Sequence, residues 1–291
     1  MTLIRVASRE SRLAVIQSEL IMKAVQTAHP EIQMELVTMK TTGDRILDRT
    51  LDQIGGKGLF VKELDAALLE GRAHIAVHSS KDLPMLTHPQ LPLAAFSPRE
   101  DPRDVLVLPK GKPDPQRPIG CSSLRRQIQL KALFPQAKIA PIRGNVLTRL
   151  QKLDRGEYSA LVLAGAGLIR LGLQDRISRY FSPGEILPAA GQGILAVQAR
   201  ADLDTGFLRC TDSADSRDCL TAERAYVRTL DGGCSSPVAA FATVCGDTLR
   251  LKGMYVTQNL TPCFETLEGS RSEAENLGSQ LAQTMKGRYG Q

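Results

Sequence analysis

Residues 3–24 read Leu3-Ile4-Arg5-Val6-Ala7-Ser8-Arg9-Glu10-Ser11-Arg12-Leu13-Ala14-Val15-Ile16-Gln17-Ser18-Glu19-Leu20-Ile21-Met22-Lys23-Ala24, a short apolar run followed by apolar residues every three or four positions. The run 3–8 reads as a strand, and Leu13, Ile16, Leu20 and Ala24 mark one face of a helix. The alternation continues outward. Residues 33–39 read as a strand, and 60–70 as a helix with Val61, Leu64 and Leu68 on one side and Gly71 at its end. Strands are expected at 75–77 and 91–96. The pattern then restarts, with strands at 105–108, 139–142 and 160–164 and helices at 124–134 and 146–153. Strands alternating with helices imply largely parallel sheets flanked by helices, and two such runs imply two α/β lobes. The Pro- and Gly-rich stretch 109–118 is loop, and 191–200 is apolar enough to be a strand re-entering one lobe.

After Asp212 the texture changes. A helix at 221–230 is broken by Gly232-Gly233, and 238–244 and 249–256 read as antiparallel strands around a Gly246-Asp247 turn. A helix at 272–285 closes a small α+β domain. No internal sequence repeat is evident.

Composition narrows the function. With 291 residues, 42% hydrophobic and 23% charged, the chain is an ordinary globular protein of two or three domains. Six cysteines without a CxxC pair read as free thiols in a reducing compartment. No apolar segment follows the N-terminal arginines, so a cytoplasmic protein without membrane contact is expected. The net charge of +6 suits nucleic acid or an acidic small molecule. Aromatics at 4% are too few for base-stacking platforms, and the arginines cluster at loop-to-helix junctions. An acidic ligand is therefore expected and nucleic acid is not.

Three such junctions follow strands. Gly120-Cys121-Ser122-Ser123-Leu124-Arg125-Arg126 combines a helix start, hydroxyls and two guanidinium forks, a pattern suited to carboxylates or to a plain solvated N-cap. Arg143-Gly144-Asn145 with Arg149, and Ala164-Gly165-Ala166-Gly167-Leu168-Ile169-Arg170, repeat it. With Arg9 and Ser11 after the first strand, they place an array where open α/β sheets bind ligands. Gly55-Gly56-Lys57-Gly58-Leu59-Phe60 lacks phosphate-loop spacing and suits a lid or a simple flexible loop. His74 and His78 lie on a strand without a third ligand nearby, so no metal site is expected. Asp82, in His78-Ser79-Ser80-Lys81-Asp82, is either an ion-pair partner or the group that stabilises a developing positive charge. Cys234, in Leu230-Asp231-Gly232-Gly233-Cys234-Ser235-Ser236-Pro237, sits on a tight turn. All four histidines precede residue 89, so no downstream histidine can activate it, and an attachment point is preferred to a hydrolytic nucleophile.

Taken in order, these segments resemble the hydroxymethylbilane synthase (porphobilinogen deaminase) family. The matching pieces include Arg5 to Arg9 with Ser11, Gly55 to Leu64, His78 to Asp82, Arg99 to Asp104, Ser122 to Arg126, Arg143 to Asn145 with Arg149, Pro188 to Gly193, and Gly232 to Cys234. The resemblance implies two periplasmic-binding-protein-like α/β lobes with a small third α+β domain. The expected division is 1–97 with 194–211, then 98–193, then 212–291 carrying Cys234. It implies a monomeric enzyme that joins four porphobilinogen units head to tail, releasing ammonia, on a dipyrromethane bound covalently through Cys234. Asp82 is then the catalytic group. Lys81, Ser123, Arg125, Arg126 and Arg143 would hold the cofactor, and Lys57, Phe60, Arg9, Ser11, Ser79, Arg149, Arg170 and Gln192 the substrate. Cys121 departs from the family's threonine and leaves a second thiol near the arginines.

A non-catalytic anion-binding protein would use the same two lobes, but it predicts a secretion signal and no role for a loop cysteine.

Overall fold

The structure, a computed structural model, describes residues 2–45, 61–232 and 237–290. Its first sheet has the strand order β2-β1-β3-β10-β4 and its second β7-β6-β8-β5-β9. The first comprises β1 (Thr2–Arg9), β2 (Ile32–Met39), β3 (Ile75–Ser79), β4 (Leu93–Phe96) and β10 (Leu195–Ala199). The second comprises β5 (Asp104–Val107), β6 (Ile119–Gly120), β7 (Ile139–Ala140), β8 (Ala160–Ala164) and β9 (Arg179–Tyr180). These are the two expected lobes, and they share one topology. In each, three parallel strands are followed by an antiparallel strand that belongs elsewhere in the chain order. The exchange of β5 and β10 is why the sheets are mixed and not largely parallel. It also makes the segments beside these strands, near 97–103 and 188–194, the two crossings between lobes.

Local sequence explains the elements. Helix Arg12–Ala28 starts at Ser11, whose Oγ accepts a hydrogen bond from the Ala14 amide at 3.4 Å. Its buried face is Ala14, Gln17, Ser18, Ile21 and Val25, so the expected stripe through Leu20 is rotated by about one residue. Leu20 is 47% exposed. Two polar residues on the buried face hid the true stripe, because Gln17 bonds Ser79 across to β3. Ile4, Val6, Ile21, Val25, Ile75 and Val197 close the first core. Each such side chain contributes roughly 1.5–3 kcal/mol when fully buried. Val105, Val107, Leu153, Leu161 and Leu168 close the second.

The third unit is an antiparallel sheet of β11 (Ala239–Cys245), β12 (Thr248–Val256) and β13 (Pro262–Ser270), with helices Ala214–Thr229 and Ala274–Tyr289. Gly246 has φ +58°, as the expected turn requires. β13 was not legible in the sequence. Its inward positions include Cys263 and Leu267 but also Glu265 and Gly269, so little hydrophobic alternation remains. Helix Ala214–Thr229 begins well before the expected residue 221, capped by Ser213, because its first turns carry Asp215, Arg217 and Asp218 in place of apolar residues.

Candidate active site

The parallel strands of both lobes end at one cleft of about 620 Å³. From the first lobe come Arg9 at the end of β1 and Ser11 beyond it, and Ser79, Lys81 and Asp82 at and after β3. From the second come Arg126, Arg143, Arg149 and Arg170, each on or beside a helix that follows a strand. Gln192 lies on the second crossing between lobes and also faces the cleft. Arg12 and Lys40 add to the wall, whose described carboxylates are Glu10 and Asp82. Glu10 is paired with Lys40 at 3.6 Å, which leaves Asp82 as the carboxylate set among the arginines and Lys81.

Burial makes this bank of cations costly without anions. Lys81 titrates at about 8 where its ordinary value is 10.5, driven down by burial and then by Arg126, against the pull of Asp82 and Asp104. Arg149 is lowered to about 10 by burial and by Arg126 and Arg143. Arg170 is lowered to about 10 by burial. Such a set fits a ligand carrying several carboxylates, since each bound acid relieves both burial and repulsion.

Asp104 organises the bank, and it was overlooked at the sequence level. It is fully buried; Oδ2 accepts from Arg125 Nη1 at 2.8 Å, and Oδ1 accepts from Arg126 Nη2 at 2.7 Å and from Gln192 Nε2 at 2.8 Å. Burial alone would raise its carboxyl pKa, but Arg125 and Arg126 outweigh burial and hold it well below the usual carboxylate range. The signal available was its position, first residue of a strand and the last of the segment Arg99 to Asp104.

Two of the expected contacts are displaced. Arg125 is not on the cleft wall, because its guanidinium is taken up by Asp104 and by the Leu187 carbonyl at 2.6 Å. Ser123 caps helix Leu124–Leu133 with its backbone and also lies off the wall. Cys121 is 1% exposed in the core beside Ile119, Leu130 and Phe181, and burial pushes its thiol pKa up, so it is no competing nucleophile. His78 is buried and neutral, lowered to about 4 by burial, with Nε2 bonded to Gln198 Oε1 at 3.1 Å. His74 Nδ1 accepts from the Arg5 amide at 2.8 Å. Both histidines serve the structure. No cluster of three His, Cys, Asp or Glu suited to a metal occurs among the described residues. Lys57, Phe60 and Cys234 lie outside the described residues.

Among the described residues, no helix is long and apolar enough to cross a membrane. Residues 4–206 match the family model described as porphobilinogen deaminase, dipyromethane cofactor binding domain, and residues 218–287 match the porphobilinogen deaminase C-terminal domain. The porphobilinogen deaminase of Alkaliphilus oremlandii is 57% identical over 286 residues, covering 98% of this chain and 97% of that one. That of Acetivibrio thermocellus is 56% identical, covering 97% of each chain. The Chromobacterium violaceum protein of the same name is 50% identical, covering 96% of this chain and 93% of its own. With both family domains matched in order and half or more of the residues shared with relatives along nearly the whole length, the chain belongs to the porphobilinogen deaminase family.

Proposed function

We infer that the chain joins four porphobilinogen molecules head to tail into hydroxymethylbilane, releasing one ammonia per addition, on a dipyrromethane primer. The observation that carries this reading is the cleft itself, with eight cationic side chains and a single central carboxylate, among the described residues, at the strand ends of two lobes. Each porphobilinogen brings two carboxylates, so an array of cations is what a lengthening product requires. The planar guanidinium fork holds each acid in one orientation.

The dipyrromethane, when bound, supplies the pyrrole carbon at which the chain is extended. Lys81, Arg126 and Arg143 hold its acids, and Arg125 acts through Asp104, which fixes Arg126 in place. Arg9, Ser11, Ser79, Arg149 and Arg170 orient the acids of the incoming porphobilinogen. Asp82 faces the positive charge that develops on the incoming pyrrole as its aminomethyl group departs as ammonia. Gln192, bonded by Lys81 at 3.3 Å and bonding Asp104, links the two lobes across the site. Lys57 and Phe60 are assigned to substrate, Ser123 to the cofactor and Cys234 to the thioether attachment on the family's motifs. The units 1–97 with 194–211, 98–193 and 212–291 are taken as the domains.

Intact-mass spectrometry tests this reading. The purified active protein is expected to exceed the 31.6 kDa of the bare chain by one dipyrromethane. Cys234→Ser is expected to show the bare mass. Active wild-type enzyme at the bare mass would overturn the assignment.

The Lys81 titration gives a pH prediction. Its folded value is depressed, so the charge is complete below about pH 8 and lost above it. In ligand-free protein the unfolded chain holds this proton more tightly, and stability therefore rises between about pH 8 and the ordinary value of 10.5. Carboxylate binding runs the other way and weakens as pH rises through about 8. Because Lys81 shares the cleft wall with Arg149 and Arg170, its loss of charge is also expected to raise the KM for porphobilinogen there, and Lys81→Arg to flatten the rise; a KM profile identical in the variant would remove Lys81 from binding.

A further inference from the structure

The third unit touches the site indirectly, through one buried carboxylate. Glu223 lies on helix Ala214–Thr229, fully buried, with burial raising its carboxyl pKa against the opposing pull of Arg99. Its Oε1 accepts from Arg99 Nη2 and from the Ala242 amide, both at 2.7 Å. Its Oε2 accepts from the Gly191 amide, also at 2.7 Å. Arg99 and Gly191 belong to the two crossings between the lobes, so a single side chain ties both crossings to the third unit.

The turn it grips is crowded and shaped for the cleft. Gly191 has φ +74° and Gly193 φ +92°. A Cβ on Gly191 would lie 2.8 Å from Ser80 Cβ, and one on Gly193 would lie 2.2 Å from the Glu100 carbonyl oxygen. Between them, Gln192 bonds Asp104, accepts from Lys81 and donates to the Pro102 carbonyl at 2.7 Å. The Gly193 carbonyl accepts from Arg170 Nη2 at 2.7 Å. Two cleft cations, Lys81 and Arg170, thus take their direct bearings from a turn that the chain crosses once. The next residue of the helix, Arg224, donates to the carbonyls of Pro84 and Met85, just beyond Asp82.

We propose that Glu223 is a positioning residue for the reaction: it latches the Gly191–Gly193 turn, and through Gln192 sets Lys81 and the Asp104–Arg126 pair against the ligand acids. The inference rests on the assignment of Lys81, Arg126 and Gln192 to the site made above. Glu223 is not on the cleft wall.

Glu223→Gln is the test, made in the holoenzyme. With its carbonyl toward Arg99 and Ala242, the new amide group faces the Gly191 N–H, donor against donor, so the latch opens with almost no change of volume. Hydrogen exchange without substrate is expected to quicken in 188–194 while the core strand Leu195–Ala199 stays protected. The kcat is expected to fall roughly ten-fold, with the KM for porphobilinogen changed less than about three-fold. Adding Gln192→Ala to Glu223→Gln is expected to lower kcat by less than about two-fold beyond the larger single loss, because both act along one route. Unchanged exchange at the turn overturns the latch. Quickened exchange with normal turnover removes the turn from the chemistry and overturns the role while leaving the contacts standing. Losses that multiply in the double variant overturn the route through Gln192. A bare intact mass in the wild-type holoenzyme would instead count against the functional reading. Should Glu223→Gln fail to fold, Glu223→Asp keeps the charge beside Arg99 and draws the second oxygen back from Gly191. The same results are then expected, and the same ones overturn the proposal.

Discussion

Asp82→Asn is expected to keep the fold and the bound dipyrromethane while lowering kcat by about 10²–10³-fold, with little change in the KM for porphobilinogen. The argument is electrostatic. Asp82 ends the 3₁₀ turn Ser80–Asp82 after β3 and presents a carboxylate to a cleft otherwise dominated by cations. A positive charge developing on a pyrrole ring there is repelled by the surrounding arginines and Lys81, and Asp82 is the carboxylate set among them. Asparagine keeps the shape and removes the charge, so ground-state packing is preserved and the charged transition state is not. A second effect follows from the neighbour. Asp82 supports the proton on Lys81, so its loss is expected to move the rise in KM to lower pH. Intact mass confirms that the primer is still present, and steady-state kinetics reads the rest. A kcat within about three-fold of wild type would take Asp82 out of the chemistry.

Asp104→Asn is expected to destabilise the ligand-free protein by about 3–5 kcal/mol, the cost of leaving a buried charge without its partner. That corresponds to a fall in Tm of roughly 10 °C for a chain of this size. Two guanidiniums share this carboxylate, at 2.8 Å and 2.7 Å; both are buried, and only that of Arg126 reaches the cleft wall. In the variant one oxygen becomes an amide that must face a donor. Because the native carboxyl is held well below its usual range, its contribution is present above about pH 4 and is lost only as the pH falls through the depressed value. The deficit is therefore expected at neutral pH. A bound poly-carboxylate is expected to recover part of it, because it supplies anions to the same bank. Thermal unfolding with and without bound primer measures both. A fall below about 3 °C would show that Arg125 and Arg126 are compensated elsewhere.

Much of this site was legible one residue at a time. Arg9, Arg126, Arg143, Arg149 and Arg170 sit on the cleft because each follows a strand whose apolar run is plain in the chain, and strand ends of an α/β sheet converge. Arg125 shows the limit. It is adjacent to Arg126 and chemically identical, yet on helix Leu124–Leu133 the two side chains leave in different directions, and only Arg126 reaches the wall. Adjacency in sequence places residues about 100° apart around a helix, and nothing local says which one faces a ligand. Helix Arg12–Ala28 shows the same limit for packing, since Gln17 is buried for a hydrogen bond to β3 that no periodicity encodes.

The amino-acid sequence by itself determined the alternation of strands and helices, the change of texture after Asp212, the cationic character of the strand ends and, through its ordered motifs, the family. These are properties of composition and short-range spacing. Only the tertiary structure decided that β5 and β10 run antiparallel to their neighbours and make both sheets mixed, that Asp104 binds two arginines and Gln192, and that Glu223 grips a turn 32 residues away in the chain. Each of these depends on contacts between distant segments, formed because buried charges and amides must find partners wherever the folded chain brings them. The same holds for the cleft: its cations were visible singly, but the lowering of Lys81 by burial and then by Arg126 exists only once two lobes hold them together.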